Sequence, residues 1–319
     1  MAKLTAKQLF QDTISLAPLA GFSDAALRQI ASYQGADICY TEMVSAKGLM
    51  YDSKRTATLL ITPPSQKIRA VQLFGSEPDV FGKVLEESPL LVPFDIVDIN
   101  MGCPVHKVTK SSEGSALMKD IPLACRIIKT VKDAARGKII TAKIRAGWDS
   151  KTIAAVDMAR ALEDSGADAI TIHPRTREQF YQGDCDYELA GKVVKAVKIP
   201  VIISGNIICK DSYQKVRQIT GASGVMIGRG ALGTNLIGEL TAQRDNTECP
   251  SFDPIDTYLE HLSLMVQYLG THYAVTNIRK FTPYYFRHIQ GARQLRAQIN
   301  TCTTIEEITD KVRQLQQIK

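Results

Sequence analysis

Over its first three quarters, the chain alternates short apolar segments with helix-length segments, and this pattern constrains its fold most. The short segments are apolar throughout, which is typical of parallel strands covered on both faces. Strands are predicted at residues 14–17, 37–42, 68–73, 95–99, 139–144, 169–172, 201–204 and 224–227. Helices are predicted at residues 24–33, 78–87, 123–135, 152–165, 187–197 and 212–220.

Eight such units are the number found in a (β/α)8 barrel. The alternative, an open doubly wound sheet, usually has a GxGxxG turn after its first strand, whereas the turn here reads APLAGFSD. We therefore predict an α/β fold with a TIM barrel over residues 1–240. The polar segment 241–252 contains two prolines and predicts a linker. Residues 253–319 predict a small all-α domain with helices at 255–269, 275–289, 292–299 and 305–318.

Composition excludes several classes of protein. The seven cysteines are scattered without zinc-ligand spacing, so neither a disulfide framework nor a metal site is expected. No apolar stretch approaches 18 residues and the N-terminus has no sustained apolar segment, so we expect a cytoplasmic protein without a membrane span. The net charge of +6 permits a polyanionic partner without requiring one. A monomer is the default expectation.

Polar and cationic residues follow nearly every predicted strand. In (β/α)8 barrels, the active site lies at these carboxyl ends of the strands. The sequence therefore predicts a site built from Gln72, Asn100, Cys103, Lys143, Arg145, His173, Arg175, Arg177, Asn206 and Arg229.

Small residues after the last two strands predict a phosphate site. Gly205 and Asn206 follow strand seven, while Gly228 and Arg229 follow strand eight. Loops at these places frequently bind phosphate through backbone N–H groups. Ordinary tight turns are the alternative interpretation.

Lys143 ends an otherwise apolar strand and is predicted to point into the barrel mouth, where a cation requires a partner. A flat anionic cofactor such as a reduced flavin would suit it. Pairing with a carboxylate such as Glu42 is the alternative. The side-chain amides of Gln72 and Asn100 could form hydrogen bonds with the edge of a heterocycle, or they could only form hydrogen bonds within the loops of the protein. His173 is interpreted either as a neutral core histidine or, with the arginines that follow it, as part of an anion-facing rim.

Cys103 lies in the segment NMGCPVHK, directly after strand four. A thiol with an ordinary pKa is mostly protonated at neutral pH and can act as a general acid. A nucleophilic role with His106 as base and a structural role as a small buried residue are the alternatives. Lys107 and Lys110 follow closely.

The C-terminal segment is basic and aromatic. Residues 261–305 contain no Asp or Glu. Their cations suit a phosphate backbone and their aromatic side chains suit exposed bases. The alternative is a solvated basic surface whose aromatic side chains pack inward. The cations are Arg279, Lys280, Arg287, Arg293 and Arg296, and the aromatic residues are Tyr268, Tyr273, Phe281, Tyr284, Tyr285 and Phe286.

Seven segments between residues 14 and 296 resemble the tRNA-dihydrouridine synthases, most closely the bacterial B-type branch. They read LAPLAGFSD, GADICYTEMVSAKGL, VQLFGSEP, DINMGCPVHKVTKSSEGSALMKD, KIRAGWD, IHPRTREQFYQG and MIGRGALG. Three positions depart from the family pattern. Ser204 and Asn206 replace the usual asparagine and aspartate after strand seven, and Pro174 replaces the usual glycine after His173.

The resemblance implies an FMN-binding catalytic barrel and a helical tRNA-binding domain. NADPH would reduce FMN, a hydride would pass from N5 to uracil C6, and Cys103 would protonate C5. The implied FMN-binding residues are Pro18, Leu19, Ala20, Gln72, Lys143, His173, Gly205, Asn206, Gly228 and Arg229. The residues expected at the tRNA are Asn100, Arg145, Arg175, Arg177, Lys107, Lys110, Arg279, Arg287 and Arg293.

Two other functions compete with this one. An FMN barrel acting on a small pyrimidine, like a dihydroorotate dehydrogenase, would not need the basic helical domain. A non-catalytic RNA-binding barrel would not need Gln72, Cys103, Lys143 and His173 together.

Overall fold

A computed structural model describes residues 5–51 and 54–315. Eight parallel strands hydrogen-bond in sequence order, and β8 pairs with β1 to close a barrel. The predicted (β/α)8 barrel is thereby confirmed. The strands are β1 Ile14–Leu16, β2 Ile38–Ser45, β3 Ile68–Phe74, β4 Ile96–Met101, β5 Ile139–Gly147, β6 Ala169–Thr176, β7 Val201–Ser204 and β8 Gly224–Ile227.

The helices alternate with the strands and then continue alone after β8. In the barrel they are α1 Ala6–Leu9, α2 Ala25–Tyr33, α3 Ala46–Met50, α4 Lys54–Leu59, α5 Pro78–Glu87, α6 His106–Thr109, α7 Ile121–Ala134, α8 Ala155–Asp164, α9 Tyr187–Ala196, α10 Lys210–Thr220 and α11 Leu236–Asp245. The C-terminal helices are α12 Pro254–Leu269, α13 Thr271–Asn277, α14 Thr282–Tyr285, α15 Ala292–Thr301 and α16 Ile305–Gln314. Short 3-10 helices cover Pro89–Leu91, Gly114–Lys119, Arg229–Ala231 and Ile278–Lys280.

Apolar side chains fill both sides of the barrel wall. Phe10, just after α1, is fully buried in a small interior cluster that includes Tyr40 and Met226. A larger core lies between the strands and the surrounding helices and continues into the C-terminal helices. This burial on both faces is the physical reason for the uninterrupted apolar segments in the sequence.

Several strands are longer than predicted. β2 extends to Ser45 with a register shift after Tyr40, and β5 extends to Gly147. β6 extends to Thr176, and Arg145 pairs with His173 across the β5–β6 ladder. Polar side chains expected in loops are therefore held by strand hydrogen bonds, which fixes their direction more firmly than a loop would.

The C-terminal boundaries also differ from the prediction. α11 continues to Asp245 and thus occupies the start of the predicted linker. The helix predicted at 275–289 is broken into α13, a 3-10 turn and α14, and α14 begins at Thr282-Pro283, where proline has no N–H to continue the preceding helix. Residues 316–318 of the last predicted helix lie outside the described residues, as do 1–4 and 316–319 of the predicted domains.

The C-terminal helices pack directly on the barrel. The Tyr268 hydroxyl donates a hydrogen bond to Gln29 of α2. Phe22, in the loop after β1, makes edge-on ring contacts with Phe281 and Tyr284 at centroid distances of 5.3 and 5.7 Å. The helical part therefore stands beside the carboxyl-end face of the barrel. No helix in the described part of the chain is both long and apolar enough to cross a membrane.

Candidate active site

A cavity of about 370 Å³ opens at the carboxyl ends of the strands, where the sequence places the site. Its wall includes residues from the loops after β1 and β8 and also Tyr284 from the C-terminal helices. The predicted site residues that line it are Pro18, Leu19, Ala20, Gln72, Asn100, Cys103, Lys143, Arg145, His173, Arg175, Gly205, Asn206, Gly228 and Arg229.

A chain of hydrogen bonds connects two buried polar residues of the barrel, Asp98 and Thr141, to the cysteine loop. Thr141 Oγ1 donates to Asp98 Oδ1 (2.6 Å), and Gln72 Nε2 donates to Asp98 Oδ2 (2.6 Å). Asn100 Nδ2 then donates to Gln72 Oε1 (2.7 Å), while Asn100 Oδ1 accepts from the backbone N–H of Cys103 (2.9 Å). We call this chain the amide relay. Because the Asp98 carboxylate only accepts, it fixes which way both amides point.

Lys143 lies beside this relay, and its ammonium has no carboxylate partner within 4.0 Å among residues 5–51 and 54–315. Burial, with Arg145 nearby, lowers the Lys143 pKa to about 8 against the opposing effect of Asp98. Burial raises the Asp98 pKa to about 6. Lys143 does not pair with Glu42: no ion pair joins the two side chains, and the Glu42 carboxylate instead accepts a hydrogen bond from the backbone N–H of Gly21. The cavity thus presents a cation without an ion-pair partner.

Cys103 is half-buried at the cavity wall. Burial raises the pKa of its thiol, although the nearby Arg145 and Lys143 act in the opposite direction. The loop is tightly packed, since a Cβ added to Gly114 would lie 2.9 Å from the Cys103 carbonyl oxygen, and Gly114 also has a φ of +60°. The thiol therefore stays protonated at neutral pH and is held at a fixed place.

Two arginines of the rim are structural supports. Arg145 is 2% exposed and donates to the carbonyls of Gly102 (2.7 Å), Thr176 (2.8 Å) and Phe180 (2.7 Å). These bonds tie the cysteine loop to the segment after β6. A direct contact of Arg145 with substrate stays a prediction.

Arg175 is also 2% exposed, and its donors are used within the protein. They bind the carbonyls of Gln182 (3.1 Å) and Gly183 (2.6 Å), Asn206 Oδ1 (2.9 Å) and His173 Nε2 (3.1 Å). Since a guanidinium only donates, His173 Nε2 accepts, and the neutral ring carries its hydrogen on Nδ1. Burial and the surrounding cations hold the His173 pKa well below its usual range. The geometry gives Arg175 a positioning role, and its substrate contact stays a prediction.

The turn after β7 requires glycine. Gly205 has a φ of +112°, and a Cβ there would lie 2.6 Å from His173 Cδ2 and 2.7 Å from Cys185 Sγ. Asn206 follows with a φ of +53°. In the loop after β8, the exposed Arg229 guanidinium lies 4.8 Å from the Tyr181 ring centroid. The two predicted phosphate loops both line the cavity and are adjacent, since a Cβ added to Gly230 would clash with the Ile207 carbonyl oxygen.

Six predicted residues do not line the cavity. Lys107 and Lys110 are exposed near the short α6, Arg293 is exposed on α15, and Arg177 stacks over Trp148 at 4.7 Å. Two others are bound by the protein: the Arg279 guanidinium donates to the Cys302 carbonyl (2.6 Å), and Arg287 to the Leu232 carbonyl (3.1 Å). Their predicted contacts with tRNA stay predictions.

The aromatic residues of the C-terminal segment pack inward. Phe281, Tyr285 and Phe286 are buried, and Tyr268 and Tyr273 are half-buried with hydrogen bonds to α2 and its N-cap. The alternative interpretation of this segment is therefore correct for its aromatic side chains, apart from the cavity-lining Tyr284. The interpretation as exposed base-stacking rings is wrong because these side chains form the core between helices and barrel.

Sequence reasoning missed several residues of the site. Asp98 and Thr141 anchor the amide relay, and Phe22, Tyr181 and Met43 line the cavity. Asp98 had a usable signal, namely a carboxylate inside an otherwise apolar strand. Tyr181 had none by itself, because aromatic residues in loops usually pack inward. In the described residues, no group of three or more His, Cys, Asp or Glu side chains could hold a metal ion.

The closed barrel and the convergence of thiol, amide and ammonium groups at its carboxyl-end face define a (β/α)8-barrel enzyme. A family model described as dihydrouridine synthase matches residues 15–319, and the chain belongs to this family. Dihydrouridine synthases are flavin-dependent oxidoreductases.

Proteins of known name agree with this assignment. The chain is 32% identical over 305 residues to a probable tRNA-dihydrouridine synthase of Rickettsia bellii, covering 94% of this chain and 93% of the relative. It is 33% identical over 304 residues to tRNA-dihydrouridine synthase B of Pseudomonas aeruginosa, covering 94% and 91%. Among solved structures, morphinone reductase is similar in fold alone, with a TM-score of 0.51, 12% identity and coverage of 77% of this chain and 88% of that one.

Proposed function

We propose that this chain reduces specific uridines in tRNA to 5,6-dihydrouridine, with FMN as cofactor and NADPH as reductant. The family membership and the names of its relatives support the reaction and the tRNA substrate. The observation that carries the proposal is one cavity in which a protonated thiol, an ammonium without an ion-pair partner and two oriented amides face the same space.

The cavity suits a flavin. The Lys143 ammonium needs an electron-rich partner, which the described residues do not supply, and a flavin carbonyl edge fits this need. When bound, FMN would supply the redox chemistry of the reaction, namely hydride transfer from NADPH to C6 of the uracil. The residues proposed to hold it are Pro18, Leu19, Ala20, Gln72, Lys143, His173, Gly205, Asn206, Gly228 and Arg229.

The chain itself supplies the proton. Addition of hydride at C6 of the uracil leaves negative charge at C5, which must be neutralised by an acid. The Cys103 thiol lines the cavity, and burial raises its pKa, so it still carries its proton at neutral pH. It donates that proton to C5, and the resulting thiolate is stabilised by Arg145 and Lys143, both of which favour the charged form.

The remaining residues position the substrate. Because Asp98 fixes both amides of the relay, Asn100 holds the backbone of Cys103 by a defined hydrogen bond. The target uridine must leave its base stack to reach this depth, as in other enzymes that modify bases. Tyr284 and Phe22 form the wall where the base would enter, and Tyr284 brings the C-terminal helices to the site.

Absorbance spectroscopy tests the proposal. Purified protein should be yellow or take up added FMN, and NADPH should bleach it under anaerobic conditions. Unmodified tRNA should then restore the yellow absorbance faster than free uridine or orotate does. Protein that neither contains nor binds FMN would exclude the proposal. Equal rates with tRNA and orotate would instead indicate an enzyme for a small pyrimidine.

A further inference from the structure

A cationic and aromatic surface lies outside the cavity around Trp148, the only tryptophan of the chain. The Lys119 Nζ atom lies 3.9 Å from the Trp148 ring centroid, and the centre of the Arg177 guanidinium lies 4.7 Å from it. The same guanidinium lies 5.7 Å from the Phe180 ring centroid. We call Lys119, Trp148, Arg177 and Phe180 the Trp148 cluster.

The cluster belongs to the catalytic face of the barrel. Lys119, Trp148 and Arg177 follow β4, β5 and β6, three consecutive strands. The last two segments are joined by hydrogen bonds from Arg177 N to Gly147 O (2.9 Å) and from Glu178 N to Trp148 O (3.1 Å).

The cluster also continues into the cavity wall. The Phe180 carbonyl accepts a hydrogen bond from Arg145, and the next residue, Tyr181, lines the cavity. A ligand on the Trp148 cluster would therefore lie next to a base bound in the cavity.

The two cations of the cluster have no ion-pair partner among the residues that the structure describes. Within residues 5–51 and 54–315, no carboxylate oxygen lies within 4.0 Å of the nitrogens of Lys119 or Arg177. Two carboxylates that are next to the cluster in sequence, Asp149 and Asp120, bind backbone N–H groups instead. Asp149 accepts hydrogen bonds from Lys151 N (2.9 Å) and Thr152 N (2.8 Å), and Asp120 caps α7.

Stacking on Trp148 holds both cations in place. Cation–π contacts of this kind contribute about 0.5–1 kcal/mol each at exposed sites. The positive charges of Lys119 and Arg177 repel each other because both lie next to the Trp148 ring. An anion bound between or beside them would reduce this repulsion and stabilise the cluster. Phe180 and Tyr181 add apolar rings that are 38% and 51% exposed.

We propose that the Trp148 cluster binds the single-stranded RNA segment next to the target nucleotide. Lys119 and Arg177 contact its phosphates, and the exposed rings of Phe180 and Tyr181 stack against a flanking base. This combination of cations and exposed aromatic side chains is typical of surfaces that bind unstacked nucleic acid. The proposal rests on the proposed function, because it assumes that tRNA is the substrate.

The fluorescence of Trp148 reports on this surface directly, since no other tryptophan contributes. Titration of the wild-type holoenzyme with unmodified tRNA should change the emission, and the change should saturate together with binding measured by filter retention. Filter-retained binding without any change in Trp148 emission would contradict the proposal. Uridine monophosphate at the same nucleotide concentration should have little effect, because it lacks the flanking phosphates.

Charge removal gives the second test. The double variant K119A/R177Q should raise KM for tRNA about tenfold and reduce the slope of log affinity against log salt by about 2. Its reduction by NADPH, which does not involve tRNA, should stay close to the wild-type rate. Lys83→Ala, an exposed lysine on α5, is the matched control and should leave both quantities unchanged. An FMN content equal to that of wild type shows that the variants are folded.

The outcomes separate this proposal from the proposed function. If wild-type protein forms dihydrouridine in tRNA and K119A/R177Q shows an unchanged KM and salt slope, the Trp148 cluster is not an RNA surface. If wild-type protein neither binds nor modifies tRNA, the proposed function fails and this inference fails with it.

Discussion

The barrel rim and the C-terminal helices are both rich in arginine, but they use it differently. Arg145 and Arg175 of the rim are 2% exposed, and their guanidinium groups bind carbonyls, an amide and an imidazole of the protein. Arg293 and Arg296 of α15 are exposed. The sequence presents all four as cations available to an anion, yet only the exposed pair is accessible to a phosphate backbone. Residue type alone therefore does not distinguish an arginine that positions other residues of the site from one that is free to contact a ligand.

The two regions also differ in their aromatic residues. In the C-terminal helices the rings pack inward and form the core against the barrel, while at the rim Tyr181 and Phe180 stay exposed. The barrel face consequently offers both base-stacking rings and accessible cations, whereas the C-terminal surface offers mainly charge. We expect chemistry and local base recognition on the barrel, and sequence-independent phosphate attraction on the helices.

The largest effect is expected at the rim. Cys103→Ala should reduce dihydrouridine formation by about 10²- to 10⁴-fold, the range typical of a lost general acid. FMN content and reduction by NADPH should be unchanged, because the thiol acts only on the substrate. Mass spectrometry of dihydrouridine in treated tRNA measures the loss. Cys249→Ser, at an exposed cysteine in the segment before α12, is the control. Turnover of Cys103→Ala at the wild-type rate would remove the acid role.

The contrast between buried and exposed arginines predicts a difference in stability. Arg175→Met should lower the free energy of unfolding by about 1–3 kcal/mol, because the buried His173 imidazole loses its hydrogen-bond donor and an unsatisfied buried acceptor costs about 1–3 kcal/mol. Arg293→Met should change it by less than about 0.5 kcal/mol, as is usual at an exposed position. Urea denaturation of both variants makes the comparison. Equal destabilisation of the two variants would show that the buried arginines of the rim contribute no more to stability than the exposed arginines of α15.

The charge on Lys143 predicts a pH dependence. The Lys143 pKa is about 8, and a lysine is charged below its pKa, so flavin reduction by NADPH should slow as pH rises through about 8. Asp98 favours the charged form of Lys143, so Asp98→Asn should move this limb to lower pH. Stopped-flow reduction at a series of pH values tests both statements.

Two substitutions of Asp98 separate charge from hydrogen bonding. In Asp98→Asn, the new side-chain amide can accept from Gln72 and donate to the Thr141 hydroxyl, so the amide relay survives. Asp98→Leu removes both acceptors and should lose turnover at every pH. If Asp98→Asn and wild type have the same pH profile, Asp98 does not raise the pKa of Lys143.

The smallest effect is expected on the helices. Arg293→Ala should reduce the salt slope of tRNA binding by about 1 and weaken binding only a few-fold, with kcat unchanged. Arg287→Ala is a less selective change, because Arg287 also donates to the Leu232 and Tyr284 carbonyls beside the cavity. Filter binding at several salt concentrations provides the measurement. An unchanged slope in Arg293→Ala would show that α15 does not contact phosphates.

Much of the fold was predictable because its signals are local. Uninterrupted apolar segments mark strands buried on both faces, and their number marks the barrel. The rim was predictable for the same reason, since residues after parallel strands must meet on one face. Strand ends were less predictable: β5 and β6 continue because Arg145 and His173 pair across the ladder, a contact between segments far apart in sequence.

The sequence by itself determined the barrel, the face on which the cavity opens, and the placing of Gln72, Asn100, Cys103, Lys143 and His173 in that cavity. Only the tertiary structure decided which partner each polar group has. Arg145 reaches the Phe180 carbonyl 35 positions away, and Gln72 reaches Asp98 26 positions away. The physical reason is that hydrophobic periodicity predicts the backbone position of each residue. The hydrogen-bond partner of a long, flexible side chain depends instead on which segments, distant in sequence, the fold brings next to it.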